Sequence, residues 1–175
     1  MKFKYLLLCC FFVGSISSLM AQLSTASLQT DWERAKAYTL EYLEAMPEDK
    51  YAYKPTPEIR SFAQQMLHLA DANYGLVATA LEQESPYGFG DVEKTEDPTK
   101  ENVIKVVMAS YDYVLAGIQT LETIEGGEMI QLFQRFDVTR EDVFRKAFEH
   151  QTHHRGQSTI YLRMAGVTPP NEKLF

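Results

Sequence analysis

The sequence of 175 residues predicts an all-α fold, a four-helix bundle that follows an N-terminal signal peptide. Three observations carry this prediction. A Ser or Thr followed three residues later by an acid or Gln marks three helix starts, with the spacing of a capping box. Proline- and glycine-rich segments separate the helices, and no alternating stretch of useful strand length is present. The length suits one domain, with no recognisable internal repeat.

Residues 1–21 have the layout of a secretory signal peptide. Lys2 and Lys4 supply a positively charged start, residues 5–13 an apolar core, and small and polar residues lead to a predicted cleavage site after Ala21. The alternative of a membrane anchor is disfavoured, because the apolar run is much shorter than the roughly 20 residues that span a bilayer. We therefore predict a secreted or periplasmic protein.

Both cysteines, Cys9 and Cys10, lie in this segment. A lipoprotein anchor at either one is disfavoured, because bulky leucines precede them. Cleavage would leave residues 22–175 as the bundle domain and change the net charge from −7 to −9, since two lysines and no acid are removed. Without cysteine, disulfides and thiolate ligands are excluded. No later stretch is predicted to span a membrane, and the lack of a basic surplus disfavours nucleic acid as a partner.

Each helix is predicted from its start signal. The signals are Thr30 with Glu33, Ser61 with Gln64, Pro98 in a first turn, and Thr139 with Asp142, which predict helices over about 30–45, 61–82, 97–125 and 139–165. Gly166 is expected to end the last helix. Residues 46–60 hold three prolines and are predicted not to be helical, residues 85–96 form an acidic loop, and residues 130–136 are a candidate short extended piece.

The last helix carries polar side chains in the middle of its predicted core stripe. Steps of four and three residues align Val143, Ala147, His150, His154, Gln157, Tyr161 and Met164. His150 and His154 project from one face, close enough to share a metal ion; the alternative is a pair of core histidines with protein partners. His153 is predicted to flank the pair or lie behind a ligand. His68 is the only histidine left as a third ligand, and periodicity does not indicate which way it points.

Two segments resemble the signature of the DinB-like family of metal-binding four-helix bundles: 150–157 (HQTHHRGQ) and 61–73 (SFAQQMLHLADAN). The resemblance covers nearly the whole predicted mature chain. It implies a divalent metal, most often zinc or nickel in this fold, held by His68, His150 and His154 in an up-up-down-down bundle that often dimerises. Three nitrogen ligands leave at least one position open, as in catalytic sites. Imidazole suits several metals, so the identity of the ion does not follow.

Five further side chains are predicted to lie behind the metal ligands or to face a bound molecule: His153, Asp71, Asn73, Gln157 and Tyr161. Asp71, three residues after His68, is predicted to orient an imidazole or accept a proton, and the alternative is a solvated surface acid. Asn73 lies on the same predicted helix. Gln157 and Tyr161, one and two turns beyond the histidine pair, are predicted to contact a ligand.

Three other positions on the last helix bear on function and packing. Gln151 stands where metalloproteases carry a glutamate base, so no general base is evident from the sequence. Arg155 lies off the core stripe and is predicted to pair with an acid on a neighbouring helix. Gly156 in a helix interior predicts either a close helix contact or a tolerated defect.

Two classes of function stay open. The first is a metal-dependent hydrolase or thiol transferase acting on a small exported molecule, activities that the family resemblance implies. The second is a non-catalytic module, in which the metal ties the second and fourth helices together and the bundle serves dimerisation or ligand binding.

Overall fold

A computed structural model describes residues 25–121, 123–124 and 126–175. The signal peptide predicted for residues 1–21 lies outside these described residues. The elements are α1 over residues 25–45, α2 (Phe62–Ala80), α3 (Lys100–Leu121), β1 (Met129–Leu132), β2 (Phe136–Thr139) and α4 (Arg140–Met164). A short 3-10 turn, Glu48–Lys50, lies between α1 and α2. The predicted four-helix bundle is confirmed.

Contacts at the two ends of α2 show that it runs antiparallel to α4. The guanidinium of Arg140, at the start of α4, donates to the carbonyl of Ala80 at the end of α2 (2.6 Å). The hydroxyl of Tyr161, near the end of α4, donates to the carbonyl of Arg60 just before α2 (2.9 Å). The two helices that carry the histidines therefore lie side by side along their whole length.

By contrast, α1 runs parallel to α4, because Tyr42 bonds Thr159 and Arg155 reaches the carbonyl of Ala35. In turn α3 starts beside the end of α1, because the Lys100 ammonium donates to the carbonyl of Met46 (2.8 Å). The order round the bundle (α1, α4, α2, α3) is thus up-up-down-down. Along the chain it is up-down-down-up.

The long loop between α2 and α3 explains this chain order. Its backbone runs back along α2, where the amides of Val92 and Glu93 donate to the carboxylate of Asp71 (3.2 and 2.8 Å). Because the loop returns to the end at which α2 begins, α3 runs parallel to α2. The same return brings the loop against the histidine-bearing face of α2.

The helix starts are partly as predicted. Ser61 forms a capping box with Gln64, and the Thr139 hydroxyl accepts from the amide of Asp142 (3.1 Å). The start predicted at Thr30 is wrong, because α1 is already helical at residue 25 and the Thr30 hydroxyl donates to the carbonyl of Ala26 (3.0 Å). In α3 the helix begins at Lys100, three residues after the predicted start.

The extended piece expected at residues 130–136 is the centre of an antiparallel hairpin. Leu132 pairs with Phe136, and the three residues between them form the turn. Phe133 and Gln134 have φ angles of 54° and 55°, so the turn has two successive left-handed residues without a glycine. In β1 the apolar Met129 is at an exposed position, so the alternation of burial is not an alternation of polar and apolar residues in the sequence.

Two stripes of α4 are buried. The predicted stripe supplies Val143, Ala147, His154 and Tyr161, whereas its Gln157 and Met164 are exposed. A second buried stripe contains Gln151, Arg155, Ser158 and Leu162, and its hydrogen bonds reach α1, α2 and α3. No helix among the described residues is long and apolar enough to cross a membrane.

Candidate metal centre

The structure brings His68, His150 and His154 together between α2 and α4. Each contributes a ring nitrogen to a cluster in which the three atoms lie within 4.8 Å of one another. The Nε2 atoms of His150 and His154 are 3.0 Å apart, and the His68 ring centroid lies 5.2 and 4.7 Å from theirs. The antiparallel packing of α2 on α4 produces this convergence of residues more than 80 positions apart.

The loop after α2 orients the imidazole of His68. The Nδ1 atom of His68 lies 3.0 Å from the Glu93 carboxylate and 3.3 Å from the Arg60 guanidinium. The tautomer in which Nδ1 donates to the carboxylate leaves the Nε2 lone pair free for a metal. Arg60 holds Glu93 through two hydrogen bonds of 2.7 and 3.2 Å. This carboxylate–histidine arrangement is the usual support behind a metal-ligating imidazole.

Ionisation of Glu93 is favoured by its partners. Burial opposes the charge, but the Arg60 guanidinium and the His68 imidazole together hold the pKa of the Glu93 carboxyl below its ordinary value. Glu93 is therefore a carboxylate at neutral pH, which is the form that accepts the His68 proton. It was not recognised in the sequence, where it is one acid among several in the 85–96 loop.

Asp71 supports the same loop rather than the imidazole. Both of its carboxylate oxygens accept backbone amides, from Val92 and Glu93, and its interaction with the His68 ring is electrostatic. Burial raises the pKa of Asp71, and the two backbone hydrogen bonds oppose the rise. Asp71 thus acts on His68 through the position of Glu93.

His154 has its own partner on α2. The amide nitrogen of Gln65 lies 2.7 Å from Nδ1 of His154, and the same amide contacts the side chain of Gln157. For Nε2 of His154 to bind a metal, Nδ1 must carry the proton, which requires the Gln65 amide to present its oxygen instead. Gln65 lies three residues before His68, so this spacing was the signal that could have identified it.

The imidazoles of His150 and His154 are kept neutral. Burial, reinforced by the neighbouring histidines, lowers the pKa of His150 to about 4 and that of His154 to about 3. Nδ1 of His150 is buried and has no hydrogen-bond partner. Neutral imidazole is the form that binds a metal, so the donor set fits a divalent transition metal with three nitrogen ligands.

The remaining predicted side chains lie at different distances from this cluster. His153 is exposed, and its ring packs edge-on against His154 with centroids 4.9 Å apart. Asn73 is buried on the side of α2 that faces α3, where it donates to Ser110 (3.0 Å), and does not join the cluster. Gln157 and Tyr161 line a cleft of about 630 Å³ beside the site.

A larger groove opens directly onto the histidines. It has a volume of about 1100 Å³ and runs along α2 between the loop after α2 and the β-hairpin, with His68 and His150 in its wall. The Arg60–Glu93 ion pair borders both this groove and the smaller cleft. The arrangement therefore leaves the nitrogen cluster accessible from a cavity large enough for a small molecule.

A four-helix bundle with three histidines converging from two antiparallel helices defines a class of helical proteins with a candidate metal site. The family model of the DinB superfamily matches residues 31–158, which is most of the chain, and the chain belongs to that superfamily. No curated protein matches the sequence.

Solved structures share the fold. A DinB-like protein from Bacillus cereus is 14% identical with a TM-score of 0.71, over 83% of this chain and 95% of that one. A DinB-like protein from Bacillus subtilis is 19% identical with a TM-score of 0.63, over 85% and 96%. YfiT from Bacillus subtilis, described as a probable metal-dependent hydrolase with an unusual four-helix bundle topology, is 19% identical with a TM-score of 0.62, over 81% and 87%.

Proposed function

We propose that this chain is a metal-dependent enzyme of hydrolase or thiol-transferase type, with one divalent zinc or nickel ion bound by His68, His150 and His154. The observation that carries the proposal is the convergence of three ring nitrogens within 4.8 Å at the wall of an open groove. The description of YfiT as a probable metal-dependent hydrolase supports the same class of activity. When bound, such an ion supplies Lewis-acid stabilisation of negative charge on a substrate oxygen or sulfur.

The chain's own residues prepare the ligands. His150 and His154 remain neutral far below pH 7 because their pKa values are lowered to about 4 and about 3 by burial and by neighbouring histidines. Glu93 favours the His68 tautomer with its proton on Nδ1, which leaves Nε2 as the nitrogen available to a metal. The support is built from loop, helix and ion pair together, as expected of a site in which ligand orientation matters.

Elemental analysis tests the first half of the proposal. Protein purified without chelator is expected to hold about one zinc or nickel per chain, and metal-free protein to take up one equivalent of either ion on titration. Turnover on a panel of small esters, amides and thiol–electrophile pairs, lost on chelation and restored by metal, tests the second half. Absence of metal in both the purified and the titrated protein would contradict the whole proposal.

A structural role for the metal is the second candidate, and one observation favours it. The three histidines come from two helices, so an ion would tie α2 to α4. Urea unfolding with and without metal discriminates the two roles. A metal-free protein that stays folded and regains turnover on metal addition supports the enzyme, whereas a chain that unfolds without metal and turns over nothing supports the structural module.

We also propose that the protein acts outside the cytoplasm on a small molecule. The support is the charged start, apolar core and small-residue exit of residues 1–21, together with the excess of acidic residues, which disfavours a nucleic-acid partner. Intact mass of the protein recovered from a bacterial envelope fraction is expected to correspond to residues 22–175. A mass that retains residues 1–21 would contradict cleavage. We also propose the homodimer that the family resemblance implies, and sedimentation of the same sample tests it.

A further inference from the structure

The groove that reaches the histidines has a mainly apolar lining, and we call it the hairpin groove. Its floor is the face of α2 from His68 to Thr79, a length of about 17 Å at 1.5 Å per residue. One wall is the loop that contains Phe89, and the opposite wall is the hairpin that contains Phe133 and Phe136. One end of this apolar channel is thus the candidate metal centre.

Aromatic rings of the hairpin groove are left in contact with water. Phe89 is 87% exposed, Phe133 61% and Phe136 48%. Single exposed apolar residues are common on protein surfaces, but three exposed phenylalanines that line one cavity favour a binding site for an apolar ligand. An apolar ligand in the groove would cover these rings.

The backbone at Phe133 is in a conformation that its side chain disfavours. Its φ angle is 54°, in the left-handed region that glycine and asparagine adopt most readily and that bulky residues rarely adopt. Glycine here would relax the turn, so the ring is kept at a cost to folding. Residues held in sparsely populated backbone regions cluster at functional sites such as ligand clamps.

The floor of the hairpin groove contains a glycine that packing does not require. Gly75 lies in the middle of α2, where glycine is less favourable than alanine, and a Cβ atom built on it meets no atom within 4 Å. No neighbouring element therefore excludes a side chain at this position. The space above Gly75 stays open along the path to the histidines.

From these observations we propose that the hairpin groove binds the hydrophobic body of a small amphipathic substrate, an alkyl chain or an aromatic ring system, whose polar head reaches the three histidines. This rests on the proposed function for the role of the head group. A small molecule is favoured because the groove is concave, close to the volume of small-ligand sites, and continuous with the nitrogen cluster. The net charge of −7 disfavours an anionic membrane as the occupant.

The test uses probes that need no metal. Displacement of the fluorescent probe anilinonaphthalene sulfonate by n-alkanols from butanol to decanol is measured on metal-free protein. Affinity is expected to rise about fourfold for each added methylene until the groove is filled. Affinity that does not depend on chain length would overturn the proposal.

Variants locate the binding. Gly75→Leu fills the floor of the groove and is expected to weaken octanol binding at least tenfold. Phe133→Gly removes part of one wall while relaxing the turn, and it is also expected to weaken octanol binding. Gly156→Leu is the matched control, because Gly156 is also in a helix interior with no atom within 4 Å of a built Cβ, but lies outside the groove. Equal affinity in Gly75→Leu and Gly156→Leu would overturn the proposal.

Further measurements distinguish a small molecule from the other possible occupants of the groove, and they test the role of the metal. A dimer in sedimentation that Gly75→Leu dissociates, or binding to phosphatidylcholine vesicles that Phe89→Ser abolishes, would assign the groove to a second chain or a membrane and overturn the proposal. With metal loaded, octanethiol is expected to bind at least tenfold more tightly than octanol. Chain-length-dependent alkanol binding in a protein that takes up no metal would support the groove while contradicting the proposed function.

Discussion

Two buried faces of α4 carry polar side chains, and they differ in how those side chains are satisfied. One face carries Gln151 and Arg155, and we call it the network face; there Gln151 accepts from the Tyr111 hydroxyl (3.0 Å) and from Arg155 (2.8 Å). The other carries His150 and His154, and we call it the histidine face; there the two Nε2 atoms lie 3.0 Å apart, and Nδ1 of His150 has no partner. The same helix thus holds one polar cluster that is complete and one that is not.

Arg155 shows why the network face is structural. It is buried, its guanidinium lies 4.6 Å from the centroid of the Tyr38 ring, and it also reaches Thr39. None of the ion pairs formed among the described residues includes it, so the acid partner predicted from the sequence is replaced by an aromatic ring, a hydroxyl and an amide. Buried polar groups that satisfy one another stabilise a unique core, whereas converging lone pairs need a ligand.

Removing a histidine should give the largest difference between the two faces, because it should lower zinc affinity far more than stability. His154→Ala is expected to lower zinc affinity more than about 100-fold, beyond the ~10–100-fold typical of partners behind a ligand. The free energy of unfolding of the metal-free protein should fall by only about 1 kcal/mol, since the hydrogen bond between His154 and Gln65 is lost. Competition with a zinc chelator measures the affinity. His153→Ala is the matched control on the same helix, and an equal loss of affinity there would contradict the ligand set.

The reverse pattern is expected on the network face. Gln151→Leu leaves the buried Arg155 charge and the Tyr111 hydroxyl each without one partner, which should lower the free energy of unfolding by about 2 kcal/mol. Zinc affinity should stay within about twofold of the unmodified protein. Urea unfolding of the metal-free protein measures the first quantity and chelator competition the second. Unchanged stability would show that the two faces are not distinguished by hydrogen bonding.

Glu93→Gln tests the support behind the histidine face. The substitution keeps the shape but removes the charge that pairs with Arg60 and accepts from His68, so zinc affinity should fall about tenfold, the lower end of the range for such partners. Glu93→Asp should recover part of the affinity if the charge matters, and none if only side-chain length does. Isothermal titration of the metal-free proteins with zinc distinguishes these results.

The same comparison explains which parts of the fold and of the candidate metal site could be predicted from the sequence. Caps such as Ser61 with Gln64 act within one turn, so local spacing predicted them. The histidine pair on α4 followed from helical periodicity in the same way. Glu93 and Arg60 could not be found, because their loops are positioned by long-range contacts to Asp71 and His68 rather than by any local pattern. The four-helix fold was predictable because it needs only helix number and loop composition.

Acidification should weaken the histidine face selectively. Histidines of the unfolded chain take up protons near pH 6.5, whereas burial keeps the pKa of folded His150 at about 4 and that of His154 at about 3. The unfolded state therefore binds more protons below pH 6.5, and stability is lost as the pH falls from about 6.5 towards 4. Urea midpoints of metal-free protein between pH 7.5 and 4.5 measure this loss. A His154→Ala variant with an equally steep decline would contradict it.

The smallest expected effect lies on the exposed face of α4, between the two buried ones. A Cβ built on Gly156 meets no atom within 4 Å, so the close helix contact considered from the sequence is absent. Gly156→Ala should therefore raise the free energy of unfolding by about 1 kcal/mol, the helix-propensity difference. Gly117→Ala is the contrasting control on α3, because its Cβ would lie 2.7 Å from Val77 and 3.2 Å from Phe144 and should destabilise the protein. If both substitutions shift the urea midpoint in the same direction, packing does not distinguish these two helix positions.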